Sequence, residues 1–123
     1  MSWKIKKNVL DSILAFSKSF YPNEFSALLF CDLDTHVIKD IYFLPGTCSN
    51  DHSAYLRLDL APMSLSLVGS IHSHPTGKGK PSLADLNFFS SKDINIITYF
   101  PFCLDCYECY NSKGEKISLE IVD

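Results

Sequence analysis

Ile71-His72-Ser73-His74-Pro75, followed by Pro81-Ser82-Leu83-Ala84-Asp85, is the stretch around which the rest of the chain is organised. It holds two of only four histidines, two positions apart, with a serine eight residues past the second and an aspartate three further on. The run before it, from Leu65 to Ile71, is rich in β-branched and large apolar residues and predicts a strand ending near His74. On a strand, residues i and i+2 share a face, so both imidazoles project the same way with Cα atoms roughly 6.5–7 Å apart. That spacing suits two ligands converging on one ion, as i, i+4 does on a metal-binding helix. Pro75 favours an extended His74 and ends the ladder, while Gly77 and Gly79 make a pliable turn. Ser82 then opens a helix, and Asp85 falls in its first turn, able to point back at the strand end.

Two neutral imidazoles and a carboxylate, from His72, His74 and Asp85, form the donor set of a catalytic zinc site. Three protein ligands leave the fourth tetrahedral position for water, whose pKa the metal lowers to about 7. Structural zinc sites usually take four protein ligands and favour cysteine, which this cluster lacks. Alone, a His-x-His pair is common on surfaces, and Ser82-x-x-Asp85 alone reads as a capping-box variant. At one strand-to-helix junction, the two together favour a metal, one zinc per chain.

His72-Ser73-His74-Pro75, Ser82 as the eighth residue after His74, and Asp85 match the H-x-H-x7-S-x2-D motif without a gap, and in this the chain resembles the JAMM (MPN-plus) zinc metalloprotease family. The family's other essential residue is an upstream glutamate that opens a strand after an N-terminal helix. Glu24 stands there, in Tyr21-Pro22-Asn23-Glu24-Phe25-Ser26-Ala27-Leu28-Leu29. The order of helix, Glu-strand, hairpin, His-x-His strand, Ser-x-x-Asp helix and closing strands covers essentially all 123 residues. Many members have glycine three residues after the glutamate, where this chain has Ala27, but every chemical group is present.

The resemblance implies a three-layer α/β fold, a mixed β-sheet flanked by helices and similar to cytidine deaminases (the JAB/MPN domain), with zinc at a strand–helix junction. It also implies the substrate class: isopeptide or peptide bonds after the C-terminal tail of ubiquitin-like modifier or sulfur-carrier proteins. Larger members carry insertions that grip the modifier; this chain has little space for them and resembles a minimal prokaryotic core. The alternatives are a non-catalytic MPN-type scaffold, whose members typically lack parts of the ligand set, and a zinc peptidase acting on ordinary peptides.

Metal hydrolysis needs a carboxylate near the attacking water. Glu24 is assigned as the general base that takes the water's proton and hands it to the leaving amine. Without the His/His/Asp set it would read as a strand-entry charge left in solvent. Ser82 is assigned to donate a hydrogen bond to the developing oxyanion. A hydroxyl can accept from a backbone N–H and still donate its own proton, so capping and catalysis can coexist.

At 123 residues the chain reads as a single domain, 1–123. An apolar fraction of 46% with 20% charged residues fits a globular protein, and no apolar run approaches the ~20 residues of a membrane span. The N-terminus has no signal-peptide pattern, so a cytoplasmic protein without a membrane partner is expected. A net charge of −3 argues against nucleic acid as a partner. Lys78 and Lys80, in the Gly-rich loop beside the expected metal, read as solvated charges rather than a magnet for an acidic surface.

Five cysteines, an odd number without a secretion signal, make a disulfide framework unexpected. Cys31 reads as a buried thiol and Cys48 as a loop residue. Pro101-Phe102-Cys103-Leu104-Asp105-Cys106 comes within one residue of the P-C-x-x-C signature of zinc nucleobase deaminases. However, position 74 is histidine where their glutamate should stand, and a His72/Cys103/Cys106 site would leave Asp85 without a role. A Cys103/Cys106/Cys109 cluster lacks a fourth ligand at ferredoxin spacing, and on a strand Cys106 would face away from the other two. Reduced thiols are expected there. His36 and His52 read as surface histidines in or beside turns, with His52 a candidate for the substrate groove.

Apolar residues at Ile5, Val9, Ile13, Phe16 and Phe20 predict a helix over 5–20, ended by Pro22. Residues 24–31 predict a central strand buried on both faces, with 37–44 its hairpin partner after a turn at 32–35. A short strand is expected over 53–58, a short helix over 59–64, a helix over 83–91 and a strand over 94–100. Residues 107–110 and 117–122 predict a closing hairpin.

Overall fold

The computed structural model describes residues 3–43, 66–76 and 79–123. Its elements in chain order are β1 (Trp3–Lys6), α1 (Lys7–Phe20), β2 (Ser26–Asp32), β3 (Val37–Phe43), β4 (Ser66–His74), α2 (Leu83–Phe89), β5 (Ile94–Tyr99), β6 (Tyr107–Tyr110) and β7 (Leu119–Val122). The seven strands form one mixed sheet in the order β6-β5-β4-β2-β3-β1-β7. β2 is its central strand, and Ala27, Leu28, Leu29, Phe30 and Cys31 are all buried, as a run apolar on both faces requires.

Register assigns the two faces. Ala27 lies opposite Ile71, Ile71 beside Ile96, and Ile96 opposite Cys109. This face meets Val9, Leu10, Ile13 and Leu14 of α1, and together they form the main core. The other face presents Leu28, Ser70, Asn95 and Tyr110 in one row, then His72 beside Ile97. Leu86 of α2 packs there, on Ile97 and Tyr110. The result is the expected three layers: α1, the mixed sheet, and α2.

Two expectations are corrected. The helix begins at Lys7, not residue 5, because Trp3–Lys6 is a strand pairing in parallel with β3 and β7. Ile5 is in helical phase with Val9 and Ile13, yet Trp-Lys-Ile-Lys also alternates as a strand does, and the sheet takes it. The closing hairpin is replaced by a crossing. Beyond the turn at 111–114, Lys116 bridges Tyr110 and the Ile117 N–H donates to the Cys109 carbonyl at 3.0 Å; the chain then runs on as β7 beside β1. This links the two edges of the sheet and lays Ile117 and Leu119 against the core. The strand expected over 53–58, the helix over 59–64, Cys48, His52 and Lys78 lie outside the described residues. Among the described residues, no helix is long and apolar enough to cross a membrane.

Gly69 of β4 pairs with Ile94 of β5. A Cβ at Gly69 would overlap the Ile94 carbonyl oxygen and stand 2.8 Å from Ile94 Cγ2. Gly69→Ala is therefore expected to destabilise the fold by about 1–3 kcal/mol, as overpacking does. For a chain of this size that is a drop of roughly 4–12 °C in melting midpoint. An unchanged midpoint in thermal denaturation would show that the two strands can part there.

Candidate metal centre

The site forms where β4 ends and α2 begins. His72 and His74 share one face of β4, the α2 face, with Ser70 two positions before them. Ser70 and Asn95 are fully buried, and their polar groups are matched: the Ser70 hydroxyl donates to Asn95 Oδ1 at 2.6 Å and Asn95 Nδ2 donates to the Lys92 carbonyl at 3.2 Å. This buried polar floor lies directly behind His72.

Ser82 is the N-cap of α2, and its Oγ accepts the Asp85 N–H at 3.1 Å. Asp85 Oδ2 in return accepts the Ser82 N–H at 2.9 Å, completing a capping box. The same Oδ2 stands 3.2 Å from His74 Nε2, so the aspartate points back at the strand end. A tether not legible in the sequence helps to place this turn: the Tyr110 hydroxyl donates to the Gly79 carbonyl at 2.5 Å, fixing the approach to Ser82 against β6.

Electrostatics prepare the groups as ligands. Burial alone would raise the Asp85 pKa, but the hydrogen bonds from His74 and the Ser82 N–H outweigh it and bring the carboxyl down to about 2. Burial holds the His72 imidazole below its ordinary value, with the charges of His74 and Lys92 adding to the effect and Asp85 opposing it. At neutral pH the set is thus an ionised carboxylate and a neutral imidazole beside His74, the protonation states a zinc ion requires.

Geometry agrees. Two ligand atoms ~2.1 Å from a tetrahedral zinc lie ~3.4 Å apart, and His74 Nε2 and Asp85 Oδ2 are separated by 3.2 Å. Among the described residues, no three His, Cys, Asp or Glu side chains already converge as a cage. The His74–Asp85 pair is in contact, and His72 lies within electrostatic reach of both. The donors fit the ion in type and charge, and the His74–Asp85 pair fits it in spacing.

Glu24 lies two residues before β2 and is exposed. Ser26 pairs with His72, so Glu24 lies just beyond the end of β2 that flanks the histidine-bearing end of β4. Phe25, between them, is held by Ser73: its N–H donates to Ser73 Oγ at 2.6 Å and its carbonyl accepts the Ser73 N–H at 2.8 Å. Sequence reasoning passed over Ser73; the available signal was a hydroxyl on the side of β4 that otherwise carries Gly69 and Ile71.

The expectation for the cysteines is overturned in part. Cys103 and Cys106 form a disulfide with Cα atoms 4.9 Å apart. They lie in a turn, not on a strand: the Cys106 N–H donates to the Cys103 carbonyl at 3.0 Å and Phe102 has φ 63°. Cys31 and Cys109 are buried free thiols, and burial pushes Cys109 up to about 12. His36 closes the turn after β2 with φ 58° and meets Trp3 edge-on at 5.2 Å.

Known proteins resemble this chain in sequence and fold. A family model for prokaryotic homologs of the JAB domain matches residues 6–103. A curated relative from Haloferax volcanii, described as a probable metalloprotease, is 39% identical over 127 residues, covering 97% of this chain and 79% of its own length. A crystal structure of a JAB1/MPN domain protein from Archaeoglobus fulgidus superposes with a TM-score of 0.80 at 32% identity, covering 99% of this chain and 98% of that one. A structure described as a JAMM metalloprotease-like zinc site in the proteasome and signalosome superposes at 0.78 with 31% identity, covering both chains fully at 100%.

Elemental analysis of the purified chain is expected to find one zinc per molecule, lost in a His72→Ala/His74→Ala double variant. Metal content unchanged by that double substitution would remove these residues from the site.

Proposed function

The chain belongs to the prokaryotic JAB-domain family, and on that footing we propose that it is a zinc-dependent metallopeptidase cleaving isopeptide or peptide bonds after the C-terminal tail of ubiquitin-like modifier or sulfur-carrier proteins. The observation that carries the reading is the 3.2 Å His74–Asp85 pair, with His72 on the same face. In this proposal His72, His74 and Asp85 hold the ion, which when bound polarises the scissile carbonyl and makes water acidic enough to attack at neutral pH.

The chain's own groups do the rest. Glu24, exposed at the open end of β2, takes a proton from the attacking water and delivers it to the leaving amine. Ser82 accepts the Asp85 N–H with one lone pair, which leaves its own proton free to be donated to the developing oxyanion. The capping box holds Asp85 in place, as hydrogen-bonded carboxylate ligands generally are.

The surroundings support a peptide tail as substrate. Tyr21 and Phe100, both substantially exposed, stack with centroids 4.9 Å apart. Phe100 donates its N–H to the His74 carbonyl at 3.2 Å, so this aromatic pair stands at the end of the sheet that carries His74, on the α1 side, where it offers a surface for a tail that crosses the strand ends. A net charge of −3 also favours a protein partner over nucleic acid.

The direct test is incubation with a lysine-linked modifier conjugate, with and without a chelator, followed by mass analysis. Cleavage after the modifier tail, abolished by the chelator, is expected; release of ordinary peptides alone would redirect the substrate class. Glu24→Gln is expected to keep its zinc and lose about 10²–10⁴ of the rate, the span of general acid–base catalysis. Zinc loss in that variant would make Glu24 a ligand, and near-normal turnover would place the base elsewhere.

For Ser82→Ala, kcat is expected to fall on the scale of an oxyanion donor, about 10²–10³. The lost cap would also cost about 1 kcal/mol of stability. Melting curves recorded beside the kinetics separate the two effects, and a rate loss that tracks unfolding alone reduces Ser82 to a cap.

A further inference from the structure

We infer that Ser73, the residue between the two histidines, is the positioning residue for Glu24: its hydroxyl fixes the glutamate-bearing end of β2 against the histidine-bearing end of β4. The inference rests on the reading of Glu24 as the general base and concerns what aims it. Ser73 is 1% exposed and faces α1, away from the histidines. In a regular antiparallel rung the Phe25 N–H would go to the Ser73 carbonyl. Here it goes to Ser73 Oγ at 2.6 Å, while the Ser73 N–H still donates to the Phe25 carbonyl at 2.8 Å.

The last rung between the two strands is therefore closed by a side chain, and the chain preceding Phe25 leaves the ladder at Glu24. Phe25 is held from the other side as well. It is fully buried, and its ring packs on Phe16 and Phe20 of α1 at 5.8 and 5.3 Å. The backbone next to Glu24 is thus clamped by a hydroxyl of β4 and by α1, while its carboxylate stays exposed. A base needs this combination, because a misplacement of about 1 Å can cost a rate factor on the order of 10².

Removing the hydroxyl leaves the buried Phe25 N–H without an acceptor and frees the position of Glu24. The hydroxyl bonds to the Phe25 N–H and not to an imidazole or the Asp85 carboxylate. Ser73→Ala deletes a single oxygen, and Ser73→Thr keeps the hydroxyl as the rescue. The zinc-loaded full chain is assayed on a lysine-linked modifier conjugate, below the melting midpoint of every variant, together with zinc content and hydrogen exchange at the Phe25 amide.

Ser73→Ala is expected to lower kcat about 10–100-fold, with KM and zinc per chain unchanged and the Phe25 amide exchanging faster; Ser73→Thr restores both. Placed in a Glu24→Gln background, Ser73→Ala should lower the residual rate no further, because its effect passes through the carboxylate. A normal kcat in Ser73→Ala, loss of zinc, or losses that multiply in the double variant would overturn the proposal while leaving Glu24 as the base. Normal turnover in Glu24→Gln alone would overturn the general-base reading itself, and the proposal with it.

Discussion

Ser26 lies opposite His72 and Ala27 opposite Ile71, and this antiparallel register between β2 and β4 governs everything around the site. Side chains alternate across a strand, so a slip of one residue would turn His72 and His74 into the α1 core and bring Ile71 and Ser73 out to α2. The core resists the slip: Ala27, Leu29 and Ile71 are buried against α1, where a slip would put His72 in place of Ile71. β2 does lose register with both neighbours, against β4 between Leu29 and Phe30 and against β3 between Phe30 and Cys31. Both irregularities fall at the far end of the strand. The end that carries the site is regular up to the rung that Ser73 closes.

The two faces of the sheet are built for different purposes. Toward α1 the rows are Ile, Leu and Phe, and the hydroxyls that occur there are used internally. Ser17 of α1 donates to the Ile13 carbonyl at 2.8 Å, which leaves Thr98 of β5 as the donor in the 2.8 Å bond between their oxygens. Toward α2 the rows become polar as β4 approaches its carboxyl end: Ser70 with Asn95, then His72, then His74. α2 spans only Leu83–Phe89 and covers Ile97 and Tyr110 with Leu86. A short second helix is thus sufficient to bring Asp85 to His74, with their side chains 15% and 16% exposed.

Much of this was legible because the informative residues are close in sequence. The His-x-His spacing fixes two side chains on one face by strand geometry alone, and Ser82-x-x-Asp85 specifies a helix start by capping rules, so the junction could be read without tertiary knowledge. What escaped the sequence depends on distant partners. β1 is four residues long and its Ile5 fits a helical phase equally well; only pairing with β3 and β7 decides the matter. β7 read as the partner of β6 because hairpins are the local choice, yet its parallel neighbour stands more than a hundred residues earlier in the chain. The Cys103–Cys106 bond was missed for a related reason. Apolar and aromatic neighbours suggested a strand, whereas Pro101 and the positive φ of Phe102 make a turn that brings the two thiols together.

The capping box gives Ser82 and Asp85 a structural role that is compatible with the chemistry proposed for them. The usual partner at the third helical position is glutamate or glutamine, whose longer side chain reaches back to the N-cap N–H. Aspartate makes the same bond here, and its shorter stem keeps the carboxylate close to the helix start, where Oδ2 accepts from Ser82 and meets His74 at once. In the proposed site the stabilising device and the ligand are one oxygen atom. A capping bond that orients a carboxylate is also the kind of outer contact that fixes a metal ligand and holds it ionised. In the proposed site the local rule for starting a helix and the requirement for an aimed, deprotonated ligand therefore select the same residue at the same position.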